Sequence, residues 1–450
     1  TALEQFRQSH PQHPLNEDIP RQLALAYSKS GQTEKAAAEF ARIGEQGNMS
    51  ADVRREAAWQ AASLLEQAGQ KAQAKQALEN YIKQYPQPFD RAIEARQKLA
   101  DFAAAQGNGV RRDHWLEEII KADAQAGNQR TDRSRTLAAR AALKLAEPRL
   151  RDFRSIVLEP PLDKNLRNKK TAMEMALAAY ARAADYDIAR VTTEATYHTG
   201  RIYTELSQAM LDSERPANLS GEALDQYEIL LEEQAFPFEE KSIEIHEANL
   251  QRGAGGALDE WVRRSLQELA LLDPGRYTKR ELTDDDAITT ASVGGEDERF
   301  TQAVELMQKR QYAQAEPLLT ELISDKPKHA EANINLGMIY ARTGREDEAI
   351  DSLRSGLKKD KKNWIAHNQL GVLLRKKGEH QTAETAYLAA IKANADYAPA
   401  HFNLAILYDE HLQQPTQALT HYQKYAASKP NDLRVKLWIA ALQNSETANE

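Results

Sequence analysis

ANINLGMIYARTG, residues 332–344, returns 34 residues later as AHNQLGVLLRKKG, residues 366–378. Each copy sets a small residue, Gly337 or Gly371, seven positions ahead of a second glycine, Gly344 or Gly378. A helix that stops at a glycine free to turn left-handed is followed by a tight reversal of the chain. Twelve residues after the first glycine come Ala349 and Ala383, on the returning helix. Small residues at the crossing let two helix backbones approach, and Tyr340, Leu374 and Tyr408, three residues further on, fill the space beside the contact. The same grammar starts one period earlier at Gln302-Ala303, with Ala315, and continues at Asn403-Leu404-Ala405. There the alanine of the second helix is Ala418, one residue late, which predicts a single-residue insertion between Asp409 and Pro415. Pro327 and Pro430 stop the second helices.

An internal period of 34 residues with these small-residue positions resembles the tetratricopeptide-repeat family, from about Glu298 to Pro430. The resemblance implies an all-α fold, a solenoid of antiparallel helical hairpins. A solenoid of this kind needs a closing helix, and Asn431 to about Gln443 supplies one with Leu433, Leu437, Trp438 and Ala441 on a single face.

The first 130 residues carry the same pattern at a longer spacing. Ala24, Tyr27, Gly31 and Ala36 recur as Ala62, Leu65, Gly69 and Ala74, a shift of 38, and a third unit begins with Ala100, Ala103 and Gly107 but has Arg112 at the alanine position. Four extra residues amount to about one helical turn. With the ending Tyr81-Ile82-Lys83-Gln84-Tyr85-Pro86, this array is similar to repeats of bacterial envelope proteins, such as the lipoprotein of the outer-membrane assembly machinery and the Tol-associated coordinator.

Residues 131–280 lose the period but keep helical spacing in Thr171 to Ala184, Ile188 to Met210, Gly221 to Gln234, Phe238 to Gln251 and Ala257 to Leu272. Breaks are expected at Pro160-Pro161, Pro216, Pro237, Gly253 to Gly256 and Pro274. Residues 281–297, with Asp284, Asp285, Asp286 and Gly294-Gly295, read as an acidic linker ahead of the C-terminal array, residues 298–450. The wording Tyr197-His198-Thr199-Gly200, Ser213-Glu214-Arg215-Pro216 and Ile245-His246-Glu247 is similar to repeat proteins of bacterial operons for ExbB and TolR-like motors and gliding machinery. That resemblance implies envelope motor or outer-membrane proteins as partners.

Composition narrows the function. A formal charge of -8 gives no basic field for a phosphate backbone, so nucleic acid is not an expected partner, and Lys358, Lys359, Lys361 and Lys362 read as a solvated helix end. No stretch reaches the roughly 18 uninterrupted apolar residues of a membrane helix. The chain has no cysteine, which removes thiol chemistry and disulfides and fits either the cytosol or an oxidising compartment. Thr1 is not an initiator methionine, an opening compatible with a signal peptide or lipid anchor further upstream. A periplasmic or outer-membrane-associated location is expected, with the cytoplasm as the alternative.

No catalytic residue, cofactor site or metal site is expected. His246-Glu247 lacks the second histidine of a helical zinc pair, because Asn249 and Leu250 stand where it would be. His198 sits among Tyr197, Thr199 and Tyr203 as a residue of the helix interior. Gly253-Ala254-Gly255-Gly256 has no following lysine with serine or threonine and reads as a turn, and Glu232-Glu233 and Glu239-Glu240 read as solvated faces.

What remains is the concave surface of the C-terminal array. Asn335, Gln369 and Asn403 stand 34 apart and can bond the backbone of an extended peptide, although asparagine is also simply common at that repeat position. Around them come Ile334, Met338 and Arg342, then Asn368, Val372, Arg375 and Lys376, then Phe402 and Ile406 with Asp409 and Glu410. Apolar pockets crossed by a basic stripe suit a partly apolar, acidic segment of another protein. Ile334 and Met338 replace the lysine and asparagine of the family's carboxylate clamp, so an acidic chaperone C-terminus is not the expected ligand. The expected role is a non-enzymatic scaffold in a bacterial cell-envelope complex. A cytosolic adaptor, or an enzyme or ligand sensor with its site in the middle helices, are the alternatives.

Overall fold

The structure, a computed structural model, describes residues 2–87, 89–256, 258–283 and 297–447. Among these residues there are twenty-two α-helices and no strand. Most helices pair chiefly with a neighbour in sequence, which is how helical hairpins stack into a solenoid. The chain divides into two compact units, residues Thr1–Asn249 and Leu250–Glu450.

The first unit opens with α1 (Ala2–Ser9) and three hairpins: α2 (Ile19–Lys29) with α3 (Thr33–Glu45), α4 (Ala51–Gln67) with α5 (Lys71–Gln84), and α6 (Phe89–Ala105) with α7 (Gly109–Gln125). Gly31, Gly69 and Gly107 make the turns at φ of 72°, 72° and 69°, a region closed to most side chains. Long helices follow: α8 (Asp132–Ser155), α9 (Leu162–Ala184), α10 (Ala189–Leu211) and α11 (Glu222–Ala254), of 24, 23, 23 and 33 residues. The boundary between the units falls inside α11.

The second unit contains α12 (Glu260–Leu272), the short α13 (Pro274–Tyr277) and four hairpins. These are α14 (Glu298–Gln308) with α15 (Tyr312–Asp325), α16 (Ala330–Arg342) with α17 (Glu346–Leu357), α18 (Trp364–Lys376) with α19 (His380–Ala393), and α20 (Ala398–Ile406) with α21 (Pro415–Ser428). The last helix is α22 (Leu433–Thr447). One core of buried residues runs from Phe300 to Trp438.

The spacings have a visible origin. A Cβ on Gly337 would lie 2.8 Å from the Leu353 side chain, and one on Gly371 would lie 2.5 Å from the Tyr387 ring, so α16 and α18 can touch their partner helices only through glycine. The longer N-terminal period resides in the first helix of the second and third hairpins: α4 and α6 have 17 residues where α16 and α18 have 13. The extra residue of the fourth C-terminal repeat is taken up by a π turn, Leu407–His411, in which the Leu412 N–H reaches the Leu407 carbonyl at 2.9 Å. Gln413 then takes the left-handed turn that Gly344 and Gly378 take elsewhere.

Two expectations need correction. Pro237 does not break the chain, because α11 runs through it. A proline inside a helix costs about 3 kcal/mol, and here more than a dozen helical residues on each side, with Ala235, Ser242, His246 and Asn249 buried, offset that cost. In α22 the core-facing residues are Val435, Trp438, Ile439 and Leu442, and Ala441 is exposed. Leu437 is buried on another side of α22, close to Gly253 and so toward the start of α12, and the helix is therefore covered on more than one face. Most of the expected acidic linker, residues 284–296, lies outside the described residues; at its start Glu281 and Leu282 bond Arg375 of α18 and Asn403 of α20.

Candidate partner-binding groove

The histidines that could suggest chemistry are structural. His246 is fully buried in α11 with its ring over Gly200 of α10, where an added Cβ would come within 2.5 Å of Nε2. Burial, reinforced by the positive charge of Arg201, pushes its pKa down to about 4, so it is neutral at physiological pH. Tyr197 tilts against it at 5.7 Å, and His198 stacks on Tyr180 at 5.0 Å. Ser242 bonds the Gly200 carbonyl and Asn249 the Thr193 carbonyl, so polar groups of α11 serve to lock it onto α10. Among the described residues no group of three or more His, Cys, Asp or Glu is placed to hold a metal ion. The Gly253–Gly256 segment ends α11 and leads to α12, whose N-terminus is capped by Asp259.

On the C-terminal array, the chain's own residues 278–283 cross α18 and α20 outside any helix, with a tight turn at Lys279 where the Arg280 N–H bonds the Thr278 carbonyl at 2.8 Å. Asn403 accepts the Leu282 N–H at 2.7 Å and donates through Nδ2 to the Leu282 carbonyl at 2.9 Å, so one side chain satisfies both backbone polar groups of one residue. Asn403 also donates to Asn368 Oδ1 at 3.0 Å, which fixes the orientation of its amide. Both asparagines are buried, with 0% and 1% exposure, and a buried amide left without such partners would cost about 1–3 kcal/mol.

Charges flank this clamp. Arg375 donates to Glu281 through Nε at 2.8 Å and through a guanidinium amine, and the Tyr387 hydroxyl donates to the other carboxylate oxygen at 2.7 Å. The Glu281 side chain is only 4% exposed. Burial and the Glu281 carboxylate together hold the Tyr387 phenol well above its ordinary pKa. On the other side Lys279 meets Asp409 at 2.6 Å and Glu410 at 2.5 Å, 5.8 Å above the Trp438 ring. Burial alone would lower the Lys279 pKa, but its hydrogen bonds to the two carboxylates raise it overall. Leu282 packs on the apolar core between them.

The structure therefore brings Asn368, Arg375 and Asn403 to one segment. Val372 and Ile406 are buried on the same two helices, and Gln369 is half-buried. Phe402 lies among the rings of Tyr425, Trp438 and Tyr422, where α20 meets α21 and α22. Asn335 and Met338 are buried in α16, Arg342 lies over the Tyr312 ring, and Lys376 is exposed near Glu346. Lys279, Glu281, Leu282 and Tyr387 were not among the expected site residues. Their signal was charge: Arg375 offers a place for an acid and Asp409 with Glu410 a place for a base.

The first unit has a different surface, a cavity of about 520 Å³ lined by α6, α7 and α8. Arg112, Arg133, Arg140 and Lys144 line it together with Asp101 and Glu147, and Arg112, Arg133 and Lys144 pair with Asp113, Glu94 and Glu147.

Comparison with known proteins finds repeats in the C-terminal array and in one stretch of the N-terminal array. The tetratricopeptide-repeat family matches residues 300–363 and 368–432, and again residues 56–88. These stretches are tetratricopeptide repeats, a module through which proteins bind proteins. One curated relative, Probable UDP-N-acetylglucosamine--peptide N-acetylglucosaminyltransferase SPINDLY of Hordeum vulgare, is 32% identical over 124 residues. That match covers 26% of this chain and spans only 13% of the relative's length. Among solved structures, MamA is similar at 25% identity over 32% of this chain and 84% of its own, with a TM-score of 0.30. Yeast Tom70 is similar at 10% identity over 96% of both chains, also with a TM-score of 0.30.

Proposed function

We propose that this protein is a non-enzymatic protein–protein interaction scaffold that assembles or tethers a bacterial cell-envelope complex by gripping segments of partner proteins. One observation carries the gripping mode: Asn403 reads the N–H and the carbonyl of a single residue, Leu282, in a segment outside any helix. Such a contact is indifferent to side chains, and the flanking Arg375 and Asp409–Glu410 add selectivity by charge. The 38-residue period of the N-terminal array and its likeness to envelope repeats support the cell-envelope setting and a periplasmic or outer-membrane-associated location. The cavity of the first unit, where Arg140 stands among charges paired as Arg112–Asp113, Arg133–Glu94 and Lys144–Glu147, offers a second face for a charged partner.

The experiment is affinity capture from detergent-solubilised bacterial envelopes, comparing the intact protein with an Asn368→Ala/Asn403→Ala variant and an Arg133→Glu/Arg140→Glu variant. Envelope motor or outer-membrane proteins retained by the intact chain and lost from either variant support the scaffold assignment. Capture of cytosolic proteins alone overturns the envelope setting, and capture unaffected by both variants overturns the assigned surfaces.

A further inference from the structure

The segment seated on the C-terminal array has the properties of a ligand rather than of a loop that happens to rest there. It makes backbone bonds on both sides of Leu282, it places a cation and an anion two residues apart, and each meets the opposite charge on the array. A connection that merely crossed a surface would not bury a carboxylate to 4% exposure against an arginine and a tyrosine hydroxyl. Its upstream end is fixed, since Tyr277 is buried and Arg434 of α22 donates to the Arg276 carbonyl.

We propose that Lys279–Leu282 is an internal ligand of the C-terminal groove, and that the groove's external partner is a protein bearing a basic–x–acidic–leucine segment that must displace it. This rests on the assignment of the groove as a peptide-binding surface and adds its selectivity and its regulation. The chemistry follows from the contacts: the base answers Asp409 and Glu410, the acid answers Arg375 and Tyr387, the leucine covers the apolar floor, and the position between them points away from the array, as exposed Arg280 does. A ligand tethered in the same chain acts at an effective concentration of about millimolar, so an external segment of equal intrinsic strength binds with an apparent affinity lowered at least tenfold.

The test uses the full chain and a fluorescent peptide of the sequence of residues 276–283, RYTKRELT, followed by anisotropy. Glu281→Lys sets like charges against Arg375 and releases the internal segment without altering the groove. The peptide is expected to bind Glu281→Lys at least tenfold more tightly than the unaltered protein, and to lose that binding when Asn403→Ala is added. A peptide with lysine in place of its glutamate should bind neither protein. Lys279→Glu, which faces Asp409 and Glu410, is the second releasing variant and covers the case in which Glu281→Lys does not fold. Equal affinity for the unaltered and released proteins overturns internal occupancy, and absence of binding to both released variants overturns the assigned ligand chemistry. Either failure is separable from failure of the scaffold assignment, which is read from envelope capture through both surfaces.

Discussion

In the second unit Gly371 of α18 lies under the ring of Tyr387 from α19, and in the first unit Gly200 of α10 lies under the imidazole of His246 from α11. In each case an added Cβ would come within 2.5 Å of a ring atom, so the same demand for close helix approach is met by the same device. The settings differ in two ways. Gly371 and Tyr387 are separated by 16 residues, Gly200 and His246 by 46. The ring over Gly371 is a phenol whose hydroxyl reaches out to Glu281, while the ring over Gly200 is a titratable base wholly inside the protein. A repeat period records a contact only while helix and loop lengths stay fixed, and the contact itself outlives the period.

The largest expected effect comes from filling either gap. Gly371→Leu and Gly200→Leu should each destabilise their unit by about 3 kcal/mol, because backbone-level approach leaves an added side chain no room. Hydrogen exchange resolved by mass spectrometry reads the two units separately. Tolerance of one substitution within about 0.5 kcal/mol would break the equivalence of the two contacts. Gly371→Leu should also loosen residues 278–283, since Tyr387 holds Glu281, whereas Gly200→Leu should leave them protected.

Acid distinguishes the two contacts further. His246 has a pKa near 4 in the fold against 6.5 for an unperturbed histidine, so between those values the unfolded chain binds the extra proton. Stability of the first unit is complete above about pH 6.5 and falls as pH drops toward 4, by about 2–3 kcal/mol in all. Chemical denaturation at pH 7, 6, 5 and 4 should show that slope, and His246→Gln should flatten it even if it lowers stability throughout. In the second unit His421, depressed to about 4 by burial and by His401 at 2.9 Å, is only half-buried, so solvent moderates its share. An unchanged slope in His246→Gln would assign the acid sensitivity elsewhere.

The same contrast explains what could be read from residues alone. Gly337, Gly344, Ala349 and their copies 34 residues on disclosed four hairpins, and the late Ala418 disclosed the extra residue that the π turn absorbs. In the middle, α8 to α11 keep the helical spacing of apolar residues, but helices of 23 to 33 residues and a proline inside α11 removed the punctuation on which boundaries depend. The groove was half legible. Register identified Asn403, Asn368 and Arg375, but a segment without apolar periodicity gave no sign that it would lie on them, since such a segment is held by backbone bonds and charge.

Asn403→Ala probes that half directly. Removing the amide leaves the Leu282 N–H and carbonyl without it, and should cost about 1–2 kcal/mol locally while sparing the first unit. Faster proteolysis and faster exchange confined to residues 278–283 are expected. Global loss of protection across α14 to α22 would instead make Asn403 a core residue of the array, and would remove the distinction between ligand and scaffold.

The smallest effect separates the two ends of the internal segment. At the Glu281 end the ion pair is 4% exposed on the acid side and reinforced by Tyr387, while at the Lys279 end the partners Asp409 and Glu410 are 13% and 46% exposed. Exposed pairs contribute about 0–1 kcal/mol and are screened by salt, whose Debye length falls to about 4 Å at 0.5 M. Lys279→Met should therefore cost under about 1 kcal/mol at low salt and less at 0.5 M sodium chloride. Exchange of the Leu282 amide, held by Asn403 next to the buried carboxylate, should respond little to salt, while the amides near Lys279 open first. Equal salt response at both ends would mean that the segment lifts as one piece, and a competing partner would then have to displace all of its contacts together rather than enter from the lysine side.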